Sequence, residues 1–162
     1  MNDPPGQVFA EDLRVGEAFE GTERVIDASS FQAFAELTGD DHPIHHDPDY
    51  AAKAGFIKPV AHGLLLSAIT ALGAAPVSKH LEDAMIAFVE QECRFLKPVY
   101  VGDRLKPVFR VASVDVKPGR GMALVSFEVK LINAENEAVL RGKQAYLLKT
   151  RAGPKIGGDD AI

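Results

Sequence analysis

The chain has 162 residues, a net charge of −5, and 46% hydrophobic and 25% charged residues. This length accommodates one domain with a sizeable core, and the composition excludes a disordered or fibrous protein. The modest acidic charge argues against a nucleic-acid-binding groove, and every apolar stretch is too short to span a bilayer.

The two ends of the chain and its cysteine content bear on compartment and domain limits. Residues 1–5, MNDPP, lack the basic and apolar regions of a signal peptide. The single cysteine, Cys93, cannot form an internal disulfide, so we interpret it as a core thiol in a cytoplasmic protein. Residues 1–9 and 151–162 are rich in Pro, Gly and Asp, and we expect flexible ends flanking one domain at residues 10–150.

The first predicted elements are a strand and a helix. Residues 17–26 have the pattern of a strand. Ser29 or Ser30 is a candidate N-cap for a helix that runs through Leu37 with one apolar face. Gly39 is expected to end this helix, because glycine readily adopts the left-handed conformation found at helix C-termini.

Two more helices are predicted before the pattern changes. Residues 48–54 form a short helix that Gly55 stops, and Asp47 before the proline at 48 supplies good N-cap and N1 chemistry. Residues 62–75 are apolar on nearly every side, which predicts a long buried helix closed by Pro76.

The second half of the chain has the alternation of strands separated by turn signals. The predicted strands are residues 85–96, 104–114, 122–132 and 138–149. One strand, then helices, then four strands with hairpin connections indicates an α+β fold. We expect an antiparallel five-stranded sheet packed around one long central helix.

Proton-transfer residues are concentrated in the segment 38–47, TGDDHPIHHD. An acid, Asp40, precedes an imidazole, His45, by five positions, and the nearby Gly39 and Pro43 make the segment irregular. A carboxylate and an imidazole held together can share a water, one taking a proton and the other giving it. That chemistry is required to add water to an activated carbon–carbon double bond, or to remove it.

Structural interpretations of the same residues stay open at this point. Asp40 could cap a helix, and His45 could be a buried histidine whose hydrogen bonds are satisfied. A metal site is a third interpretation, but adjacent histidines rarely converge on one ion, and the chain has no second cluster with zinc-like spacing. The residues that such a site would use are Asp40, Asp41, His42, His45, His46 and Asp47.

Longer motifs around this segment resemble those of a known family. The matching stretches are FAELTGDDHPIH at 34–45, DPDYA at 47–51, PVAHGLL at 59–65, FLKPVYVGDRL at 95–105 and LRVGE at 13–17. Together they resemble the MaoC-like, (R)-specific enoyl-CoA hydratase family of hot-dog-fold proteins. The resemblance extends in register from about residue 10 to residue 150.

The resemblance implies a hot-dog fold with an overhanging loop–helix segment, and the reversible hydration of trans-2-enoyl thioesters to (R)-3-hydroxyacyl thioesters. Asp40 and His45 fall on the family's catalytic pair, which holds the water. Gly63 falls on the residue whose backbone N–H receives the thioester carbonyl. The chain departs from the family at His42, where the usual residue is the Asn that shapes this loop. The geometry of the water can therefore differ here.

Elementary chemistry also supports the role of Gly63. The first N–H groups of a helix have no intrahelical acceptor and lie at the positive end of its dipole. Such a donor can stabilise the negative charge that develops on the thioester oxygen as water adds. No metal and no redox cofactor are expected, because the thioester already acidifies the α position.

Further residues are candidates for substrate contact. His62 is expected to orient or pack within the site, and small or apolar residues that follow could contact an acyl chain: Leu64, Ala71 and Ala74. The carrier is expected to be coenzyme A or an acyl carrier protein. Basic residues that could contact its phosphates are Lys53, Lys58, Arg94 and Lys97.

The expected assembly is a homodimer or a dimer of dimers, because hot-dog proteins usually pair sheet edges and place the substrate tunnel at the interface. Other functions within the same fold remain alternatives. These are a (3R)-hydroxyacyl-carrier dehydratase subunit, an acyl-thioesterase and a non-catalytic acyl-binding partner. A thioesterase usually carries its carboxylate on the central helix, whereas residues 64–75 contain no Asp or Glu.

Overall fold

The computed structural model describes residues 6–153. Residues 1–5 and 154–162, which belong to the ends predicted to be flexible, lie outside this range. The inner parts of both ends pack on the domain. Val8 donates its N–H to the carbonyl of His80 at 2.7 Å. The guanidinium of Arg151 pairs with Asp12, lies 5.1 Å from the Phe9 ring centroid, and lowers the pKa of Asp12.

One antiparallel sheet forms the body of the domain. Its strand order is β1-β4-β5-β6-β3, and β2 pairs with β4 beside this path. The bounds of the last two strands and the start of β3 and β4 are those predicted from the alternation. The strands are β1 Ala18–Glu20, β2 Arg24–Val25, β3 Met85–Phe95, β4 Arg104–Lys117, β5 Met122–Ile132 and β6 Ala138–Lys149.

The first predicted strand, residues 17–26, is divided into β1 and β2, so the sheet has six strands where five were expected. The division occurs at Gly21, which donates its N–H to the carbonyl of Pro107 at 2.7 Å. A Cβ at position 21 would overlap the Pro107 ring. Proline cannot donate to a sheet ladder, so the pairing of the strand with β4 is interrupted beside it.

Within residues 6–153, three α-helices and four 3-10 turns precede the four long strands, β3 to β6. The helices are α1 Ala28–Thr38, α2 Pro48–Lys53 and α3 Gly63–Ile69, and the turns are Ala10–Asp12, Pro43–His45, Leu72–Ala74 and Pro76–His80. The N-cap of α1 is Asp27, and not Ser29 or Ser30 as predicted. Its carboxylate accepts both serine hydroxyls and the Ser30 N–H, which together lower the pKa of Asp27.

The central helix is shorter than the 62–75 segment predicted. It ends at Ile69 because side chains from β6 bind the backbone that follows. Buried Gln144 donates to the Thr70 carbonyl at 2.9 Å, and the Tyr146 hydroxyl accepts the Leu72 N–H at 3.2 Å. Burial raises the pKa of that hydroxyl. These bonds replace helical ones, and the chain continues in two 3-10 turns.

The core consists of two packed clusters between the sheet and the helical layer. One lies under β4, β5 and β6 and includes the fully buried Phe109 and Phe127 together with Leu72. The other surrounds α3 and joins Leu66 to Phe31 of α1. Burying one such side chain stabilises the fold by about 1.5–3 kcal/mol. The second cluster therefore fixes α1 and α3 against each other, and with them the loop that follows α1.

The strand β3 is one edge of the sheet, and it carries exposed apolar side chains. Phe88, Val89 and Phe95 are each about half exposed. An exposed apolar edge strand is a surface on which another strand can pair. None of the helices within residues 6–153 has the length and apolar character needed to cross a bilayer.

Candidate active site

The C-terminus of α1 positions Asp40. Gly39 adopts a left-handed conformation with φ 77° and donates its N–H to the Ala35 carbonyl at 2.8 Å. This ends the helix as predicted and turns the chain away from its axis. The next N–H, that of Asp40, is donated to the Thr38 hydroxyl at 3.2 Å. The Asp40 side chain is exposed.

A short 3-10 turn, Pro43–His45, positions His45. The turn is capped by His42, whose Nδ1 accepts the Ile44 N–H at 3.3 Å. Asparagine, the usual family residue here, caps such turns through its side-chain oxygen. His42 thus provides the same acceptor with a ring nitrogen, and the departure from the family leaves the turn intact.

The segment that leads into α3 holds the ring of His45. Its Nδ1 lies 2.7 Å from the Val60 carbonyl, and the Val60 N–H is donated back to the Ile44 carbonyl at 3.2 Å. A carbonyl can only accept, so Nδ1 carries a proton and Nε2 holds the lone pair of the neutral ring. Burial lowers the pKa of His45, although the Val60 hydrogen bond opposes this effect.

His62 is the residue that links the two members of the predicted pair. Its side chain is only 2% exposed, and its Nε2 lies 3.0 Å from the Asp40 carbonyl. Its ring stacks on that of His45, with centroids 3.7 Å apart and planes 26° apart. Phe34 of α1 contacts the His62 ring, with centroids 4.9 Å apart. The expectation that His62 orients or packs within the site agrees with these contacts.

Asp40, His45 and His62 come together around one cavity. A side-chain nitrogen or oxygen of each lies within 4.8 Å of those of the other two. The cavity has a volume of about 760 Å³, and α1 lines it with both apolar and polar side chains. Such a space can hold a water between the Asp40 carboxylate and the His45 ring.

The same three side chains could in principle hold a metal ion, and their geometry bears on that alternative. A metal lies in the ring plane of an imidazole ligand, about 2.0–2.1 Å from its nitrogen for zinc. The rings of His45 and His62 stack with centroids 3.7 Å apart and planes 26° apart, so one ion close to both rings would lie out of the plane of at least one of them. The arrangement favours a shared water, and a metal-free site remains our prediction.

Gly63 begins α3, as predicted, but it faces a second cavity on the side of Phe95. This cavity has a volume of about 340 Å³ and is lined by both residues. A Cβ at position 63 would lie 2.9 Å from the Phe95 ring, so only glycine fits without movement. His62, which lines the first cavity, and Gly63, which lines the second, are adjacent in the chain.

The other candidates for substrate contact lie outside both cavities. Within the described chain, Leu64 is 67% exposed, and Ala71 and Ala74 are also exposed. Two of the four basic candidates have intramolecular partners. Lys58 donates to the Val101 carbonyl at 2.9 Å, and Lys97 pairs with a glutamate of the β5–β6 turn at 2.7 Å. The remaining two, Lys53 and Arg94, are exposed.

Two functional features were not anticipated from the sequence. The Val60 carbonyl sets the tautomer of His45, and Phe31 and Phe34 of α1 pack edge-on and tilted against His62. The apolar face of α1 was a signal for the phenylalanines. A backbone carbonyl leaves no signal in a residue pattern.

Cys93, which we interpreted as a core thiol, is half-buried, with its sulfur 3.7 Å from the Ser67 hydroxyl.

Comparison with known proteins identifies the family. The model of the MaoC-like domain matches residues 11–135, which include the loop that carries Asp40 and His45, the helix α3 and the strands β3, β4 and β5. The chain belongs to the MaoC-like family. The fold is accordingly a hot-dog fold, and the protein is a hydratase or dehydratase of the MaoC type, as the motifs predicted.

Individual relatives agree with this assignment. The chain is 32% identical over 128 residues to a mitochondrial 3-hydroxyacyl-[acyl-carrier-protein] dehydratase of Arabidopsis thaliana, covering 79% of this chain and 72% of that one. It is 31% identical over 105 residues to the (R)-specific enoyl-CoA hydratase of Aeromonas caviae, covering 65% and 75%.

A solved structure also resembles this MaoC-like protein over most of its length. It is described as a monoamine oxidase regulatory protein from Archaeoglobus fulgius, with a TM-score of 0.82 and 29% identity. The match covers 90% of this chain and 96% of that one. The two proteins thus have the same overall fold.

Proposed function

We propose that this MaoC-like protein hydrates trans-2-enoyl-CoA reversibly to (R)-3-hydroxyacyl-CoA. The observation that carries the proposal is the convergence of Asp40 and His45 on one cavity, with side-chain ligand atoms within 4.8 Å of each other. The Aeromonas relative is named for this reaction. Both members of the pair stand in the stretch 34–45, which resembles the motif of the family.

In the proposed reaction, the Asp40 carboxylate and Nε2 of His45 hold one water. The water oxygen bonds to the β carbon while one member of the pair takes a water proton. A proton is delivered from the pair to the α carbon on the same face, so the net change is addition of one water. Neutral His45 can accept a proton at Nε2 but cannot donate one there. The protonation state of the pair therefore alternates during turnover.

The thioester oxygen gains negative charge as the β carbon is attacked. The Gly63 N–H is the proposed donor to this oxygen, since it lies at the start of α3 and beside His62. Removing one donor of this kind typically raises the barrier by about 3 kcal/mol. Glycine also allows the substrate to approach the backbone closely, and the nearby Phe95 ring leaves no room for a Cβ.

A homodimer is part of the proposal. The edge strand β3 ends at Phe95, beside the Gly63 cavity, and its exposed apolar side chains suit pairing with a second copy. Pairing there would close one wall of the cavity. A partner subunit would then also cover Leu64, which is exposed on the first turn of α3.

Dehydration of a 3-hydroxyacyl group on an acyl carrier protein is the second candidate. The Arabidopsis relative carries this name and matches more of the chain than the hydratase does. The chemistry at Asp40 and His45 would be the same reaction in reverse, so only the carrier differs. The thioesterase alternative is less favoured, because α3 bears no carboxylate.

The test is a hydration assay on crotonyl-CoA, which follows loss of the conjugated thioester absorbance. The configuration of the product is determined with dehydrogenases specific for the (R) or (S) alcohol. Formation of the (R) product supports the proposal. Longer and branched enoyl-CoA substrates and the matching enoyl-carrier-protein substrates complete the panel. Inactivity across that panel would overturn the proposal in favour of a binding role.

A further inference from the structure

His62 is buried more completely than any other polar side chain around the cavity, and it contacts both members of the pair. Its Nε2 lies 3.0 Å from the Asp40 carbonyl, and its ring stacks on His45 at 3.7 Å. We propose that His62 is the positioning residue of this site: it tethers the Asp40 backbone and holds His45 in its neutral, proton-accepting form. This inference rests on the proposed function for its catalytic meaning.

The tether acts on a residue that is otherwise weakly held. Asp40 follows a left-handed glycine and has an exposed side chain, and its N–H is bound to the Thr38 hydroxyl. Its carbonyl accepts the Nε2 proton of an imidazole that is only 2% exposed. Since a buried and packed group moves little, this bond fixes the Asp40 backbone relative to α3.

The tautomer of His62 follows from the same bond. The Asp40 carbonyl only accepts, so Nε2 of His62 carries the proton and Nδ1 holds the lone pair of the neutral ring. Among residues 6–153, this buried Nδ1 has no hydrogen-bond partner.

The stacking acts on the protonation of His45. The His62 ring covers one face of the His45 ring and excludes water from it, and a charge on either ring disfavours a charge on the other. Burial is the largest cause that lowers the pKa of His45, and charge on His62 and His42 adds to it, while the Val60 bond and Asp40 oppose it. Other titratable groups around the same cavity are Glu36, Asp41 and His46.

Two substitutions separate the two actions. His62→Phe keeps an aromatic ring against His45 but removes the bond to Asp40 and the ring nitrogens. His62→Gln keeps an N–H that can reach the Asp40 carbonyl but removes the stack. The matched control is His80→Gln, because His80 lies in a different turn and its carbonyl binds Val8.

The first measurement is the titration of the His45 ring by NMR on histidine-labelled protein without substrate, assigned with His45→Asn. The midpoint of His45 is expected to move to higher pH in His62→Gln, which lacks the stack, to move less in His62→Phe, which keeps the ring, and to remain unchanged in His80→Gln. An unchanged midpoint in folded His62→Gln would overturn the proposal. If the Gln variant does not fold, as judged by circular dichroism, His62→Asn, which also removes the stack, takes its place.

The second measurement is the pH profile of kcat for enoyl-CoA hydration. The alkaline plateau is expected to fall about tenfold or more in His62→Phe, as loss of one hydrogen bond that positions a reacting group would produce, and less in His62→Gln. Equal plateaus in the wild type and the Phe variant would show that the tether is not needed. The NMR titration requires no turnover. The role of His62 can therefore be overturned while the hydratase proposal stands, and the hydratase proposal can be overturned while the effect of His62 on His45 stands.

Discussion

The carbonyl oxygen of Val60 lies 2.7 Å from Nδ1 of His45. This bond orients the imidazole and fixes its tautomer, so that Nε2 is left with the lone pair of the neutral ring. Val60 also pairs across to Tyr100, and Ala61 donates its N–H to Val99 at 2.8 Å. The orientation of His45 is thus set by the segment around Val60. That segment is itself held by its bonds to the connection between β3 and β4.

Removal of either member of the pair should abolish most hydratase activity without unfolding the protein. We expect Asp40→Asn and His45→Ala to lower kcat by about 10²–10⁴-fold, the usual contribution of positioned acid–base groups. Asp41→Asn is the matched control, since Asp41 is exposed in the same loop and pairs with His46 at 3.2 Å. Wild-type rates in Asp40→Asn or His45→Ala would contradict the proposed roles.

His42 should be replaceable by the residue that the family usually has. His42→Asn keeps a side-chain acceptor for the Ile44 N–H and should leave stability and activity nearly unchanged. His42→Ala removes the acceptor and should lower the free energy of unfolding by about 0.5–2 kcal/mol. Urea unfolding and kcat are measured for the wild type and for both variants, and together they separate the effect on stability from the effect on activity. Equal stability of the Ala and Asn variants would mean that the cap contributes nothing.

Activity should depend on pH through His45. Its pKa in the folded protein lies below the ordinary 6.5, mainly because of burial. The neutral ring therefore persists to a lower pH than in a free histidine, and the acid limb of kcat should fall below pH 6.5.

The stability of the protein should change with pH in the same direction. Between the pKa of His45 in the folded protein and 6.5, the unfolded chain binds more protons than the folded one, so the free energy of unfolding rises with pH. Above pH 6.5 the contribution of His45 to this free energy is fully present. A kcat profile and urea midpoints across this range measure both effects. An acid limb that lies above pH 6.5 would contradict the assignment of this group.

Gly63→Ala should be inactive and destabilised, because its Cβ would lie 2.9 Å from the Phe95 ring. Overpacking of this kind typically costs about 1–3 kcal/mol. The double variant Gly63→Ala, Phe95→Leu relieves the contact and should regain stability. Activity regained with it would indicate that glycine is needed for space alone. Activity that stays low, with Phe95→Leu alone active, would indicate that the substrate must approach the backbone at position 63.

The edge strand β3 should be the dimer surface. A charge in place of Phe88 or Val89, each about half exposed on β3, should disrupt pairing with a second copy. Analytical ultracentrifugation of the wild type and of Val89→Lys measures this. Val116→Lys, at the exposed end of β4, is a control with a similar change in polarity. A wild type that is monomeric at micromolar concentration would exclude the expected homodimer.

Much of the architecture could be predicted from local patterns. The bounds of β5 and β6 follow from alternation between flanking turn residues, and the end of α1 follows from Gly39. The candidate site was predictable in the same way, because Asp40 and His45 are only five positions apart in a loop. Their closeness needs little more than the turn between them.

The rest depended on residues far apart in the chain. The end of α3 at Ile69 is set by Gln144 and Tyr146, more than 70 residues away, and the break after β1 is set by Pro107. The stack of His62 on His45 depends on how α3 packs against α1. Periodicity and capping involve neighbours in sequence, and so the sequence by itself determined the α+β class, the family motifs and the loop that brings Asp40 and His45 together. Only the tertiary structure decided the length of the central helix, the tautomer of His45 and the contacts of His62. These features arise because segments far apart in the chain compete for the same backbone groups and the same buried space.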